Sequence, residues 1–184
     1  MKKSMVWENN EFFGIEYMEL SFLDNKIDVD STVISIENNI PYKINYNISL
    51  DTDWVVKKLH IDIGDSNKSL KISSNGKGQW FDIKGNEIHE LDGAIDIDIS
   101  CTPFTNSLPI NRFEWDHNTS KNFEMVFISI PDMTYKKVKQ SYTLIKDTVD
   151  SREFQYKSGT YETKIEVDIN GLVITYPGVF TRKF

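Results

Sequence analysis

The segment from Glu90 to Trp115, ELDGAIDIDISCTPFTNSLPINRFEW, carries the side chains whose types and spacing could do chemistry. Asp96 and Asp98 alternate with isoleucines, which places both carboxylates on one face of a predicted strand, about 7 Å apart. Two carboxylates at this distance can bind a hard cation or act as an acid–base pair. A structural interpretation is also open, in which the carboxylates face water or pair with a cation such as Arg112. The pattern favours this structural interpretation.

Two prolines restrict the segment that follows the predicted strand. Pro103 and Pro109 predict an ordered but irregular connection, with no regular helix or central strand between them. The side chains of Thr105 and Asn106 can bond local backbone groups and thereby fix the loop without a ligand. Because fixed loops also line binding sites, both residues remain candidates for ligand contact.

The cysteine and histidine content argues against a metal site or a nucleophilic enzyme. Cys101 is the only cysteine, so no internal disulfide can form, and a reducing, cytoplasmic location is predicted. Cys101 also shares a predicted strand face with isoleucines, which is typical of a buried, inert thiol. The three histidines lie in different segments without metal-ligand spacing, and the chain has no G-x-S-x-G elbow, Gly-rich phosphate loop or H-E-x-x-H motif. We therefore expect no metal and no cofactor, and binding rather than catalysis.

Composition and charge exclude several other classes of protein. The formal net charge is −7, from 21 basic and 28 acidic residues, which disfavours binding to nucleic acid. No stretch approaches the roughly 20 apolar residues of a transmembrane helix, and the first residues lack the apolar segment of a signal peptide. A chain of 184 residues with 39% hydrophobic content predicts a single domain, residues 1–184, around a sizeable core.

Alternation of apolar and polar residues predicts strands through most of the chain. The stretch YKINYNISL has the clearest alternation, and WVVKKLHIDIG follows it after a predicted turn at Asp51–Asp53. In the second stretch the alternation places Val55, Leu59, Ile61 and Ile63 on one face of the strand. Helical spacing is not sustained for three turns anywhere. The chain is therefore predicted to be mainly antiparallel β with little helix, as in a sandwich, a barrel or a rolled sheet.

The central segment resembles the signature of a known family. LDGAIDIDISCTPFTNSLPINRF is similar to the pattern LDGC-DVDL--TPFTNTLPIRRL of the putative glycolipid-binding family, a bacterial group of β-rich proteins. The stretches that also resemble this family are PYKINYNISLDTDWVVKKLHID, NGKGQW, KVKQSYTLI, FQYKSG and EVDINGLVITYPGVFTR. The chain departs from the pattern at Ala94, where the family has cysteine, and at Asn111, where it has arginine; Ala94 argues against a catalytic thiol at that position. The resemblance covers nearly the whole chain and implies an antiparallel sheet curled into a partly open barrel or spiral roll with a cavity.

We expect the chain to bind an amphipathic small molecule, a lipid or glycolipid, without catalysis. The net negative charge favours a neutral glycosyl or hydroxylated ligand over an anionic one. Aromatic side chains are the leading candidates because they stack on sugar rings and line acyl pockets, although any of them can instead fill the core. The candidate ligand-binding residues are Tyr42, Trp54, Trp80, Asp92, Asp96, Asp98, Thr105, Asn106, Arg112, Tyr142 and Tyr176. The alternatives are a hydrolase or isomerase that uses Asp96, Asp98 and Arg112, and an interaction scaffold without a small ligand.

Overall fold

The structure of the chain, a computed structural model, describes residues 1–64, 66 and 68–184. In this part of the chain, fourteen strands form one continuous sheet. The first seven strands are β1 (Lys2–Asn9), β2 (Gly14–Phe22), β3 (Ile27–Glu37), β4 (Ile40–Leu50), β5 (Val56–Ile63), β6 (Ser69–Ser74) and β7 (Trp80–Phe81). The second seven are β8 (Asp96–Ile99), β9 (Ser120–Ser129), β10 (Thr134–Asp147), β11 (Ser151–Ser158), β12 (Tyr161–Asp168), β13 (Val173–Tyr176) and β14 (Phe180–Arg182). Helical structure among the described residues consists of α1 (Ser107–Arg112) and 3₁₀ turns at His89–Leu91 and Phe104–Asn106.

The sheet is an open roll. Its strand order is β7-β6-β5-β4-β3-β2-β1-β14-β13-β12-β11-β10-β9-β8, so β1 and β14 join the two halves and β7 and β8 are the two edges. Neighbouring strands are antiparallel except β8 and β9, which are parallel. The prediction of a mainly antiparallel, curled sheet is confirmed.

The roll is a spiral because β9 and β8, the last two strands in the order of the sheet, pack inside the half formed by β1 to β7. Ile97 and Ile99 of β8, with Val126 and Ile128 of β9, belong to the same buried cluster as the inward side chains of β1 to β7. β8 is consequently buried on both faces, since Asp96 on its opposite face is also inaccessible to water. A second, smaller core lies in the concave face of β10 to β13, where Ile110 of α1 packs with aromatic and aliphatic side chains.

Local alternation explains the burial pattern of β4 but not the start of β5. β4 has buried residues at every second position from Ile44 to Leu50, as the sequence predicts. The turn after it is fixed by Asp51, whose Oδ1 accepts hydrogen bonds from the amides of Asp53 and Val55 at 3.1 and 2.9 Å. The prediction that Val55 shares a face with Leu59, Ile61 and Ile63 is wrong: the register shifts by one residue there, and Val56 is buried instead.

The prediction of an irregular connection between Pro103 and Pro109 is also wrong. The chain forms a 3₁₀ turn at Phe104–Asn106 and then enters α1. Pro109 is the third residue of α1, in the first turn of the helix, where a missing amide hydrogen removes no helical bond. Side chains hold the segment as expected: Thr102 Oγ1 accepts from the amide of Phe104 at 3.1 Å, and Asn106 Nδ2 donates to the carbonyl oxygen of Pro103 at 3.1 Å.

The buried face of β8 should be sensitive to small changes in volume. Ile97 is completely buried in the larger core, so Ile97→Val is expected to lower the free energy of unfolding by about 0.5–1.5 kcal/mol through the lost methylene. Ile169 is exposed, and Ile169→Val is the matched control, with a change within about 0.5 kcal/mol. Urea unfolding followed by circular dichroism measures both variants. Equal stability of the two would contradict the packing of β8 inside the roll.

Candidate functional site

The polar face of β8 begins with a buried ion pair. The guanidinium Nη2 of Arg112, at the end of α1, donates to Asp96 Oδ2 at 2.6 Å, and the two side chains are only 9% and 1% exposed. The rings of Phe113 and Phe123 lie 4.9 and 5.9 Å from the guanidinium carbon. Burial raises the pKa of Asp96 to about 6, against the lowering effect of Arg112. The pair ties α1 to β8, as the structural interpretation of the sequence predicts.

Asp98, on the same face, is held by two uncharged donors. Gln140 Nε2 of β10 donates to Asp98 Oδ2 at 2.6 Å, and Thr105 Oγ1 donates to Asp98 Oδ1 at 3.3 Å. Burial raises the pKa of Asp98, while these two hydrogen bonds act in the opposite direction. The sequence prediction omitted Gln140, although the stretch KVKQSYTLI that carries the family resemblance contains it.

Asn106 is fixed by a second buried contact between the connection and β10. The hydroxyl of Tyr142 donates to Asn106 Oδ1 at 2.8 Å, while the amide of Asn106 bonds Pro103 as described above. Burial raises the pKa of Tyr142 well above its ordinary value, so its hydroxyl stays a donor. Asp98 and Asn106 are therefore both oriented by neighbours on β10.

Asp98 and Asn106 border a concavity of about 330 Å³, which we call the tyrosine concavity. Its polar side also includes Thr102, and its aromatic side consists of Phe127, Tyr156, Tyr161, Tyr176 and Phe180. The ring centroids of Tyr156 and Tyr161 lie 5.9 and 6.4 Å from that of Tyr176. The structure thus brings three of the predicted residues, Asp98, Asn106 and Tyr176, to one concavity. Four others lie behind this lining and support it: Asp96, Thr105, Arg112 and Tyr142. Tyr156 and Tyr161 were not among the predicted site residues.

The other four candidate residues lie elsewhere. Trp80 is fully buried and donates through Nε1 to the carbonyl oxygen of Ala94 at 2.7 Å. Trp54 is half-buried at the edge of the larger core, with its ring 6.2 Å from that of Phe22, and Tyr42 packs against the same core. Asp92 is exposed. The tryptophans do not line the tyrosine concavity as expected, because β8 and β9 fill the inward face of the first seven strands.

Asp92 instead belongs to a group of possible metal ligands at the surface. Ligand atoms of Glu87, His89 and Asp92 lie within 4.8 Å of one another. His89 and Asp92 are exposed, and such surface groups commonly occur without a metal. We assign no metal to this group.

A larger, open groove of about 710 Å³ lies on the outer face of β3 to β6. Its lining includes the charged residues Asp28, Asp30, Lys58, Lys71 and Asp82, together with His60. The described part of this lining contains no phenylalanine, tyrosine or tryptophan. The groove thus combines charges of both signs with aliphatic side chains, and its described lining lacks the aromatic rings of the tyrosine concavity.

A buried carboxylate lies behind the tyrosine concavity. Glu16 Oε1 accepts hydrogen bonds from the hydroxyls of Tyr46 and of Ser31, the latter at 2.8 Å. The Tyr46 hydroxyl is also 3.1 Å from Thr102 Oγ1, so a chain of polar contacts runs from Glu16 to the concavity. Burial raises the pKa of Glu16 to about 7, while the bonds from Tyr46, Thr102 and Ser31 lower it. Alternation along β2 places Glu16 on the face of Met18 and Leu20, and this signal could have identified it.

The thiol of Cys101 is unsuited to nucleophilic chemistry. Cys101 is buried, as the sequence predicts. Burial raises the pKa of this thiol, and the nearby carboxylate of Glu16 raises it further. A thiol in this state supplies little thiolate near neutral pH.

Comparisons with known proteins agree with this architecture. The family described as "Putative glycolipid-binding" matches residues 4–182. A solved structure of a DUF1089 family protein from Pseudomonas aeruginosa is 28% identical, with 91% of each chain covered and a TM-score of 0.78. A search of the curated proteins found no match. None of the helices in the described part of the chain has the length and apolar character needed to cross a membrane.

Proposed function

Since this chain belongs to the family described as "Putative glycolipid-binding", we propose that the tyrosine concavity binds the head group of a neutral glycolipid or of a similarly hydroxylated amphipathic molecule. The observation that carries this proposal is the lining itself, in which three tyrosine rings and the polar side chains of Asp98 and Asn106 border one concavity. Aromatic faces stack on the apolar faces of sugar rings, and carboxylate and amide groups exchange hydrogen bonds with hydroxyls.

The size of the concavity supports a head group rather than a whole lipid. Small-molecule pockets have volumes of roughly 300–1,000 Å³, and the tyrosine concavity, at about 330 Å³, is at the lower end of this range. A ligand with long acyl chains would therefore place its polar part here and leave its chains outside.

The charges near the concavity favour a neutral ligand. Asp98 contributes a carboxylate to the lining, and Lys136 contributes a cation, so the two charges nearly balance. The chain as a whole has a formal net charge of −7, which repels anionic ligands over a distance of about one Debye length. Hydroxyl groups, which accept and donate hydrogen bonds without charge, suit this surface better than a phosphate or sulfate.

The hydrogen bonds behind the lining also support binding over catalysis. Asp98 and Asn106 are oriented by Gln140, Thr105 and Tyr142, so little ordering remains to be done when a ligand enters. In the alternative hydrolase or isomerase, Asp96 and Arg112 would have to act with Asp98. These two bond each other, and neither borders the tyrosine concavity.

The exposed ring of Tyr161 offers a direct test. Tyr161→Ala is expected to raise the Kd for octyl glucoside, below its micelle-forming concentration, by about five- to tenfold through loss of one stacking face. Isothermal titration calorimetry measures this Kd. Tyr17→Ala is the matched control, because Tyr17 is 50% exposed against 44% for Tyr161 but lies on the outer face of β2.

Three results would argue against the proposal. An unchanged Kd in Tyr161→Ala would mean that the ligand does not bind in the tyrosine concavity. Tighter binding of octyl phosphate than of octyl glucoside would overturn the charge argument. No binding of either compound to the wild-type chain would favour the interaction scaffold.

A further inference from the structure

An exposed apolar rim occupies one end of the roll. We define it by Phe12, Phe13, Ile36 and Ile40, which are between 38% and 64% exposed. Phe12 and Phe13 lie in the turn between β1 and β2, and Ile36 and Ile40 flank the turn between β3 and β4. The amide of Ile36 donates to the carbonyl oxygen of Phe13 at 2.9 Å, so the two turns are adjacent. Large exposed apolar patches often mark surfaces that bind a membrane or another molecule.

The rim lies at the same end of the roll as the tyrosine concavity. Asn9, at the end of β1, pairs with Phe180 of β14, and the amide of Asn10 donates to the carbonyl oxygen of Val179 at 2.8 Å. Val179 and Phe180 both line the tyrosine concavity. The turn that carries Phe12 and Phe13 is therefore bonded directly to one wall of the concavity.

The shape and charge of this end fit a lipid surface. The rim consists of the tips of two hairpins rather than a flat face, and aromatic and aliphatic side chains at such tips enter the interface between head groups and acyl chains. Glu11 and Glu37 lie in or beside the two turns of the rim, Glu8 of β1 is paired with Lys183 at 2.6 Å, and the whole chain is net negative. Anionic membranes are bound through clusters of lysine and arginine, so an uncharged or zwitterionic surface is the better match. The small concavity gives a second reason, since the acyl chains of its proposed ligand need an apolar phase outside the protein.

We propose that the apolar rim inserts into the surface of a neutral or zwitterionic bilayer and holds the tyrosine concavity against glycolipid head groups. This inference rests on the proposed function, because it assigns the source from which the ligand is taken.

Vesicle flotation tests the proposal. With phosphatidylcholine vesicles, the Phe12→Ser/Phe13→Ser variant is expected to bind more weakly than the wild type by a factor of about ten or more, because two apolar side chains no longer leave water. Ile36→Ser/Ile40→Ser should show the same direction of change. Val149→Ser/Ile169→Ser is the matched control, since these residues are 86% and 70% exposed in turns beyond the far ends of β10 and β12. It should bind vesicles as the wild type does.

Soluble ligand separates this inference from the proposed function. The Phe12→Ser/Phe13→Ser variant should keep the wild-type Kd for octyl glucoside, and Tyr161→Ala should keep its affinity for glycolipid-free vesicles. The inference would be overturned if the wild-type chain did not float with the vesicles, or if the rim variants floated as well as the wild type. A preference for anionic vesicles would also overturn it. So would a wild-type dimer, seen by sedimentation, that the rim substitutions dissociate, because the rim would then be a contact between copies of the chain.

Discussion

Replacing Arg112 by alanine is expected to lower the free energy of unfolding by about 3–5 kcal/mol. The Arg112 guanidinium is bonded to Asp96 at 2.6 Å, and both side chains are nearly excluded from water. Without Arg112, the carboxylate of Asp96 is left buried with no opposite charge, and this stranded charge accounts for most of the loss. Urea unfolding at pH 8, above the pKa of about 6 for Asp96, measures the effect with the carboxylate ionised in the wild type.

An exposed ion pair supplies the control for Arg112. Lys157 and Glu162 are 3.1 Å apart with both side chains about half exposed, and Lys157→Ala should change stability by less than about 1 kcal/mol. The double variant Asp96→Ala/Arg112→Ala should lose less stability than the sum of the single variants, because it strands no charge. A single Arg112→Ala variant as stable as Lys157→Ala would mean that Asp96 is neutral or hydrated in the folded chain.

The parts of the fold that follow from short-range alternation could be predicted from the sequence. The inward face of β4 and the shared face of Asp96 and Asp98 depend only on the period of two along a strand. The turn at Asp51 depends on a side chain that bonds amides two and four residues away. The pairing of Arg112 with Asp96 was also within reach, since Arg112 is the first cation that follows Asp96 in the sequence and a buried carboxylate requires one.

The predictions that failed concern features that depend on contacts between distant residues or on the position of a residue within a helix. α1 was missed because prolines oppose a helix interior but not its first turn, and the sequence did not show where the helix begins. Val56 was missed because the register shift between β4 and β5 is a property of two strands together. Trp54 and Trp80 were assigned to the pocket because nothing local shows that β8 and β9 return to fill the first half of the roll. Gln140 meets Asp98 across 42 residues of sequence, a contact that only the completed sheet creates.

Changing Glu16 to glutamine is expected to alter the dependence of stability on pH. Burial raises the pKa of Glu16 from its ordinary 4.5 to about 7, so between these values the folded chain binds more protons at this site than the unfolded chain does. Stability contributed by the protonated form is present below pH 4.5 and is lost as the pH rises to about 7. Glutamine does not titrate. The free energy of unfolding of Glu16→Gln minus that of the wild type should therefore rise by roughly 3 kcal/mol between pH 4.5 and pH 8.

Urea unfolding of both proteins across this range measures the difference, and its change with pH is independent of any constant cost of burying the amide. Glu19→Gln is the matched control on the same strand, because the hydrogen bond from Lys2 lowers the pKa of partly exposed Glu19. Its difference from wild type should stay nearly constant above pH 4.5. A constant difference for Glu16→Gln as well would mean that the hydroxyls of Ser31, Tyr46 and Thr102 stabilise an ionised Glu16 throughout. In that case a permanent negative charge, rather than a neutral acid, would lie behind Thr102 and the tyrosine concavity.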